Sequence, residues 1–427
     1  MTEKPTIYAI DFGTSNSLLA AASAERTFDP IPLDPDAPDP TVLRSALYFA
    51  SLEDAAFGTA AIRALVANGF KGRLIRSIKR HLPSKVFSKT RIGYRQAAIE
   101  DLIGAFLRCM RDRANRHFDT DVRRVVMGRP ARFSNDDSED RLAQERLMRA
   151  AMRAGFEDIS FCAEPVAAAY DFAEDLETPR VVLVADLGGG TSDYTVVRMG
   201  ARGFLPEDVQ AVGGVAVAGD AIDGALVRGV VAPHFGSLAH YRVPFGANDL
   251  DMPSALIQIL STPADLTILD RDRIAEQLQR IRAGLTEERE RPALDRFIAL
   301  VEDGLGFTLY DAVEAAKRRL SHDERTEITV DEADIAFRAP ATRADLEHVA
   351  AGPREQIVAS LHKTLNAAAI RPGDVEILCL TGGTSRMPLI ADAISHALPN
   401  AAVRRLRSFH SVVNGLAKSA REVVART

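Results

Sequence analysis

The sequence predicts an α/β protein of two lobes, each built on a sheet that presents a ligand-binding hairpin. Two stretches and the chain length carry that prediction. Residues 181–184 are an apolar, largely β-branched run that arrives at Asp186, then Gly188-Gly189-Gly190, then Thr191 and Ser192, and a second β-rich run follows through Val197. Residues 7–10 do the same near the start of the chain: they run into Asp11-Phe12-Gly13-Thr14-Ser15-Asn16, and residues 17–22 return. β-Branched residues favour the pleat and glycine interrupts it, so each copy reads as strand, tight turn, strand. Aligned on their acids, the copies suggest an internal duplication, and 427 residues leave room for two to three domains with cores of their own.

Each hairpin has the chemistry of a phosphate cradle. Glycine lets the backbone approach a ligand and turn its N–H groups into a concave nest. Hydroxyls stand beside the nest, and a carboxylate at the strand end suits the hydrated magnesium that travels with phosphate. Glycine-rich turns are common in hairpins, but an acid, three glycines and a threonine in this order after a buried strand are rarer. Two such loops facing one another would grip a triphosphate and bring Asp11 and Asp186 near one cation. No Gly-x-x-x-x-Gly-Lys-[Ser/Thr] occurs, and no Gly-x-Gly-x-x-Gly follows the first strand. Gripping phosphate with two hairpins is the solution of the actin-like ATPases.

Composition excludes several classes. Hydrophobic content of 46% and charged content of 26% are ordinary for a globular chain. A net charge of −6 and no Trp argue against a nucleic-acid surface. Cys109, Cys162 and Cys379 are too few and scattered for a disulfide framework and read as small buried residues in a reducing compartment. Nine histidines without a His-x-x-x-His pair disfavour zinc. No signal-peptide core and no apolar run near 18 residues is visible, so a cytoplasmic protein without a membrane partner is expected.

Taken in order, residues 29–40 are rich in Asp and Pro and predict an extended surface loop leading to a short strand over 45–49. Residues 70–81 concentrate Lys71, Arg73, Arg76, Lys79 and Arg80. A solvated helix face is the usual fate of such a run; the alternative is one lysine reaching into the phosphate cleft. Helical spacing of Ile99, Leu102, Ile103, Phe106, Leu107 and Met110 predicts a helix over 96–118, then a strand over 122–127 ending at Gly128-Arg129-Pro130. A helix over 139–154 has Gly155 as its cap. Glu164-Pro165 opens a helix whose small residues permit close packing. By itself Glu164 reads as a favourable charge at a helix N-terminus, worth about 0.3–1 kcal/mol. Gly219 opens a helix to about 231. Residues 233–291 are the least legible, a small inserted subdomain with a helix over 272–285. A helix over 311–321 puts Glu314, Lys317, Arg318 and Ser321 on one face, a spacing ordinary salt-bridged helices also show. A short strand over 327–330, a helix over 344–369 and a strand over 375–380 follow. Thr381-Gly382-Gly383-Thr384-Ser385-Arg386 is the next glycine turn, and a helix over 412–424 closes the chain.

In this order the motifs resemble the DnaK (heat-shock protein 70) chaperone family of the actin-like ATPase superfamily, over nearly the whole chain. The resemblance implies two ribonuclease-H-like lobes, residues 1–178 and 179–427, with smaller inserted subdomains and the 412–424 helix returning toward the first lobe. It implies ATP or ADP with magnesium as ligand. Gly13, Thr14, Ser15 and Asn16 would form the first phosphate loop, and Gly188, Gly189, Gly190, Thr191 and Ser192 the second, with Gly219 beside it. Asp11 and Asp186 would bind magnesium through water, Glu164 and Thr191 would orient the attacking water, and Lys79 would neutralise developing charge. Glu314, Lys317, Arg318 and Ser321 would hold adenosine from one side, and Gly382, Gly383, Thr384 and Arg386 from the other. Pro130 falls where the family has a proline switch.

Two departures stand out. The family continues into a peptide-binding domain that is absent from this sequence, so the chain looks most like the YegD-type branch of lone ATPase domains. Where an acid usually precedes the last helix, Ser408-Phe409-His410-Ser411 stands. The implied function is a slow ATPase switch acting on a protein partner or client, chaperone-like. A filament-forming actin-like protein of the cell-shape class and a small-molecule kinase are the alternatives.

Overall fold

The computed structural model describes residues 3–425 except 70, 135, 173–177, 201–205, 245, 263–270, 333–334 and 406–409. Phe70, Ser408 and Phe409 of the motifs above lie outside the described residues. The chain forms two compact units: Met1–Ala64, Arg76–Gly219 and Arg354–Thr427 make the first, Leu65–Ile75 and Asp220–Pro353 the second.

The first unit contains two large sheets alongside smaller ones. One is built from β1 (Ile7–Phe12), β2 (Asn16–Ala22), β3 (Thr27–Phe28), β4 (Arg124–Arg129) and β5 (Asp158–Ala163), in the order β5-β4-β1-β2-β3, with the short strand Leu43–Arg44 also pairing with β2. The other is built from β6 (Arg180–Leu187), β7 (Ser192–Met199), β8 (Val209–Val215), β9 (Ile377–Thr381) and β10 (Ala402–Arg405), in the order β8-β7-β6-β9-β10. In each, a central strand pairs antiparallel with its hairpin partner (Ile10 opposite Leu19, Ala185 opposite Tyr194) and parallel with the next strand (Tyr8 opposite Val125, Val184 opposite Cys379). The strand directions match position by position, so the duplication read from two hairpins extends to both sheets, and the mixed α/β fold stands. Sheet one uses residues before 178 and sheet two residues after it.

Four helices matter for the site. α1 (Ile99–Phe118) buries the apolar stripe the spacing predicted. It begins later than expected because Arg95–Ala98 pairs as a strand with Lys89–Ile92, and the Asp101 carboxylate accepts the Ala98 N–H at 3.1 Å. α2 (Asp137–Arg153) is capped by Asp136, whose Oδ1 accepts from Ser138 N at 2.9 Å and Glu139 N at 3.0 Å. α3 (Glu164–Phe172) and α4 (Ser411–Ala425) cross each other. Ala167, Ala168 and Ala169 of α3 and Val413, Leu416 and Ala417 of α4 share one core with Ile7, Ala9 and Val126 of the first sheet and Val182, Val184 and Cys379 of the second. That common core is why both sheets fall in one compact unit.

Several local expectations are corrected. The 29–40 segment is not simply a surface loop: Ile31, Leu33 and Asp34 are buried, Arg113 donates to the Leu33 carbonyl, and Asp34 accepts the Thr59 N–H at 2.8 Å. The basic run forms the strand Arg73–Arg76 and a 3-10 turn, Ile78–His81, that buries Lys79, so it is no solvated helix face. The 344–369 helix is two, Arg343–Val349 and Ala351–Ala367. Of the cysteines only Cys379 is fully buried.

The second unit holds the helix Gly306–Leu320 and an antiparallel hairpin, Arg325–Glu332 with Ile335–Thr342, whose second strand the sequence reading missed. Its apolar residues alternate (Ile328, Val330; Ile335, Phe337, Ala339) and face a core with Phe235, Leu294 and Phe297 among its buried members. Residues 233–291 resolve into the short pair His240–Tyr241 with Leu250–Asp251 and the helices Ser254–Leu260 and Arg271–Ala283. Among the described residues no helix is long and apolar enough to cross a membrane.

The α3–α4 crossing gives a stability test. A Cβ at Gly415 would collide with the Ala167 carbonyl, whereas one at Gly352 would meet nothing within 4 Å. Gly415→Ala should lose about 1–3 kcal/mol in urea unfolding, with Gly352→Ala neutral or slightly stabilising as the control.

Candidate functional site

The first unit brings most of the predicted residues together. Gly13, Thr14 and Ser15 form the turn between β1 and β2; Gly188, Gly189, Gly190 and Thr191 form the turn between β6 and β7. The two turns touch: a Cβ on Gly190 would stand 2.6 Å from Thr14 Oγ1. Behind the first turn, Ser45 Oγ donates to the Gly13 carbonyl at 2.8 Å and Ser45 N–H to the Ser15 carbonyl at 2.9 Å. The second is braced by the Gly382 loop. Gly382 takes φ +82°, and a side chain there would strike the Leu187 carbonyl and approach Asp186 Oδ1 at 2.8 Å. Thr384 Oγ1 donates to the Gly188 carbonyl at 2.6 Å, and Gly219 N–H to the same carbonyl at 3.4 Å. Gly383 and Arg386 are exposed.

Two predicted ligand groups turn inward instead. Ser192 is fully buried and its hydroxyl donates to the Val217 carbonyl at 2.7 Å, so that hydroxyl ties β7 to the segment after β8 rather than facing a ligand. The Thr384 hydroxyl is likewise spent on Gly188. Where the family's acid was missing, His410 is held by Thr41, Nε2 to Oγ1 at 2.7 Å, and lies 3.5 Å from Asp39 Oδ2.

Lys79 and Glu164 meet as a buried ion pair, Nζ to Oε1 at 2.7 Å, with side chains 6% and 9% exposed. Neither ordinary reading, a solvated lysine or a helix-end charge, accounts for that burial. Asp11 lies one residue before the end of β1 and Asp186 one before the end of β6, and both feel Glu164. Asp193, absent from the predicted site, belongs to the same cluster. It lies directly opposite Asp186 in the β6–β7 register and its Oδ1 accepts the Ala131 N–H at 2.7 Å, next to Pro130. Like charges opposite one another in a sheet are unfavourable, and that register could have been counted from the turn length.

The electrostatics follow from four carboxylates and one ammonium. Burial first, then repulsion from Glu164, raises Asp11 well above the usual carboxylate range, with Lys79 opposing. Burial and Glu164 push Asp186 up to about 8, and Asp193 to about 7 despite the Thr191 hydroxyl and the Ala131 N–H. Burial alone would lower the Lys79 ammonium, but Glu164 and Asp11 outweigh it and hold its pKa above the ordinary value. Among the described residues no group of three or more acidic, His or Cys side chains is arranged to hold a metal directly.

In the second unit, Glu314, Lys317 and Arg318 lie on the helix Gly306–Leu320 and Ser321 caps it. Lys317 is buried against Asp223, Nζ to Oδ2 at 2.6 Å, while exposed Arg318 lies 3.8 Å from Glu314. Burial raises Asp223 to about 6 even with Lys317 beside it. Sequence spacing grouped Lys317 with Arg318 but gave no sign of Asp223.

A model of the Hsp70 protein family matches residues 7–234 and 305–421. The chain belongs to the Hsp70 family. The Hsp70 match skips 235–304, which contains most of the segment that was least legible. The chaperone protein DnaK of Thermosipho melanesiensis is 24% identical over 423 residues, covering 97% of this chain and 59% of that protein. DnaK of Thermotoga petrophila and of Thermotoga maritima are each 24% identical over 396 residues, covering 91% of this chain and 54% of theirs. The chain thus spans between half and three fifths of the length of these Hsp70 relatives.

The raised carboxylates predict a pH dependence. Folded Asp186 and Asp193 keep protons that the unfolded chain releases above about pH 4, so stability falls as pH rises toward their folded values. His81, lowered to about 4 by burial and then Arg80, acts oppositely, but only below its unfolded value near 6.5. Between pH 6.5 and 8.5 the ligand-free chain should lose about 1–3 kcal/mol in urea unfolding, and Asp186→Asn should remove the larger share of that slope.

Proposed function

We propose that this Hsp70-family chain binds ATP and ADP with magnesium and hydrolyses ATP slowly, as a nucleotide-dependent switch that engages a protein partner. The observation that carries the reading is the apposition of two phosphate-type turns beside the buried Lys79–Glu164 pair. Phosphoryl transfer asks for positioning and charge stabilisation more than covalent chemistry, and these residues supply both. Backbone N–H groups of Gly13 to Asn16 and Gly188 to Thr191 cradle β- and γ-phosphates. Lys79 leaves Glu164 for the γ-phosphate and stabilises charge there, and the freed Glu164 carboxylate, with the Thr191 hydroxyl, orients the attacking water.

Magnesium fits the donor set. Asp186 is a buried carboxylate and Asp11 a half-buried one, both with their pKa raised, and with no direct three-ligand group among the described residues they would hold the ion through its water shell. The ion would supply charge neutralisation at the phosphates. Glu314, Lys317, Arg318, Ser321, Gly382, Gly383 and Arg386 are the adenosine contacts in this reading, with residues 1–178 and 179–427 as its lobes, while the Thr384 hydroxyl braces Gly188. The name of the DnaK relatives supports a chaperone-like role, and a cytoplasmic location fits it. The filament and small-molecule-kinase readings gain no support from the family match.

Saturating MgATP or MgADP at 100 times Kd should add about 2.7 kcal/mol, which corresponds to roughly 2–4 °C of melting temperature per kcal/mol. A melting curve indifferent to both nucleotides would sink the binding claim. Arg386→Ala should weaken ATP and ADP alike by about 0.5–2 kcal/mol through lost stacking on adenine; unchanged affinity would remove Arg386 from the site.

Lys79→Ala and Glu164→Gln should slow single-turnover hydrolysis about 10²–10³-fold with ADP affinity nearly intact. Alanine at Lys71, Arg76 or Arg80 should change little. Equal near-background rates in wild type and both variants, all binding ATP, would leave a nucleotide sensor and remove the enzyme claim.

A further inference from the structure

We infer that Arg146 is a positioning residue for Lys79, an assignment that rests on the ATPase reading above. Lys79 stands on the 3-10 turn Ile78–His81, which is only four residues long. The turn is entered through Ser77 at φ +52°, a left-handed conformation that serine keeps only where its surroundings impose it. Its own backbone bonds are few: Arg80 N–H to the Ser77 carbonyl at 3.0 Å, Leu82 N–H to the Lys79 carbonyl at 3.2 Å and Ser84 N–H to the His81 carbonyl at 3.1 Å. So short a turn does not fix its own place. Ile78 and Leu82, fully buried, give it apolar footing.

The directional anchor lies at the exit. Nη1 of Arg146 donates to the Leu82 carbonyl at 2.9 Å and the Ser84 carbonyl at 2.8 Å, with the His81 carbonyl at 3.4 Å. Arg146 comes from α2, more than sixty residues away, and is only 6% exposed. Its Nε lies 3.7 Å from Glu100 of α1, which also meets Arg149 at 3.2 Å. The guanidinium therefore does two things at once, facing Glu100 with one edge and gathering carbonyls with the other. A lysine has a single nitrogen and must give up one of them. Through this clamp α1 and α2 set where the Lys79 ammonium stands relative to Glu164 and Asp11.

The test compares Arg146→Ala and Arg146→Lys with wild type and with Arg149→Ala, which shares Glu100 but touches no carbonyl of the turn. Single-turnover ATP hydrolysis should fall about ten- to a hundred-fold in Arg146→Ala and less in Arg146→Lys, with ADP affinity unchanged in both and Arg149→Ala like wild type. A second readout needs no turnover. Acetylation of the Lys79 amine by acetic anhydride, followed by peptide mass spectrometry, should be slow in wild type and Arg149→Ala and faster in both Arg146 variants. If wild type hydrolyses no ATP, the ATPase reading fails and the acetylation rates alone decide this inference. Equal protection of Lys79 in all four proteins, or ADP affinity falling in step with rate, would overturn it. Should Arg146→Ala not fold, Arg146→Lys carries the test, because it keeps a charge beside Glu100.

Discussion

Among the described residues, the buried Lys79 ammonium is the positive charge around which Asp11, Glu164, Asp186 and Asp193 are balanced. Two opposite charges about 4 Å apart attract by roughly 4 kcal/mol at the effective dielectric of a protein, and a buried charge stripped of its partner costs about 3–5 kcal/mol. The ends of β1 and β6, the start of β7 and the start of α3 all bring acids to this place, so their joint arrangement depends on that ammonium. A stretch chosen for stability alone would not set Asp186 opposite Asp193. Local rules broken in this way are expected where chemistry is done.

The repeated sheet explains how the acids come to share a cation. Because both sheets have the same strand order and directions, Asp11 and Asp186 occupy the same position, one residue before the last of a central strand. Folding the two sheets onto α3 and α4, through residues as small as Ala167 and Gly415, lets the hairpin turns approach until Gly190 meets Thr14. The glycines are therefore contact points between the turns.

Features carried by local pattern were legible. Both hairpins, the apolar stripe of α1, the start of α3 at Glu164 and the helix bearing Glu314 and Arg318 follow from periodicity and turn chemistry. Features carried by long-range pairing were not. Lys79 and Glu164 are 85 residues apart, and Asp223 and Lys317 are 94 apart; nothing local distinguishes either lysine from a surface one. Arg146 looks like any other arginine of α2 until the carbonyls it holds are known. The strand Ile335–Thr342 escaped because Ala, Arg and Pro dilute its alternation, although the partner strand restores it. His410 illustrates the reverse case: it read as a missing acid, and it is a histidine held by Thr41.

The rim of the second sheet bears on colloidal behaviour. β10 is hydrogen-bonded to β9 on one side, and all four of its residues, Ala402-Val403-Arg404-Arg405, are exposed. An uncovered strand of this kind is a template on which another extended chain can dock, and the usual defence is brevity together with charge. β10 has both: four residues offer few free amides, and two adjacent arginines repel a second copy of the same edge. Replacing them with β-branched apolar residues would turn a protected rim into a seed for self-association without altering the Lys79–Glu164 pair.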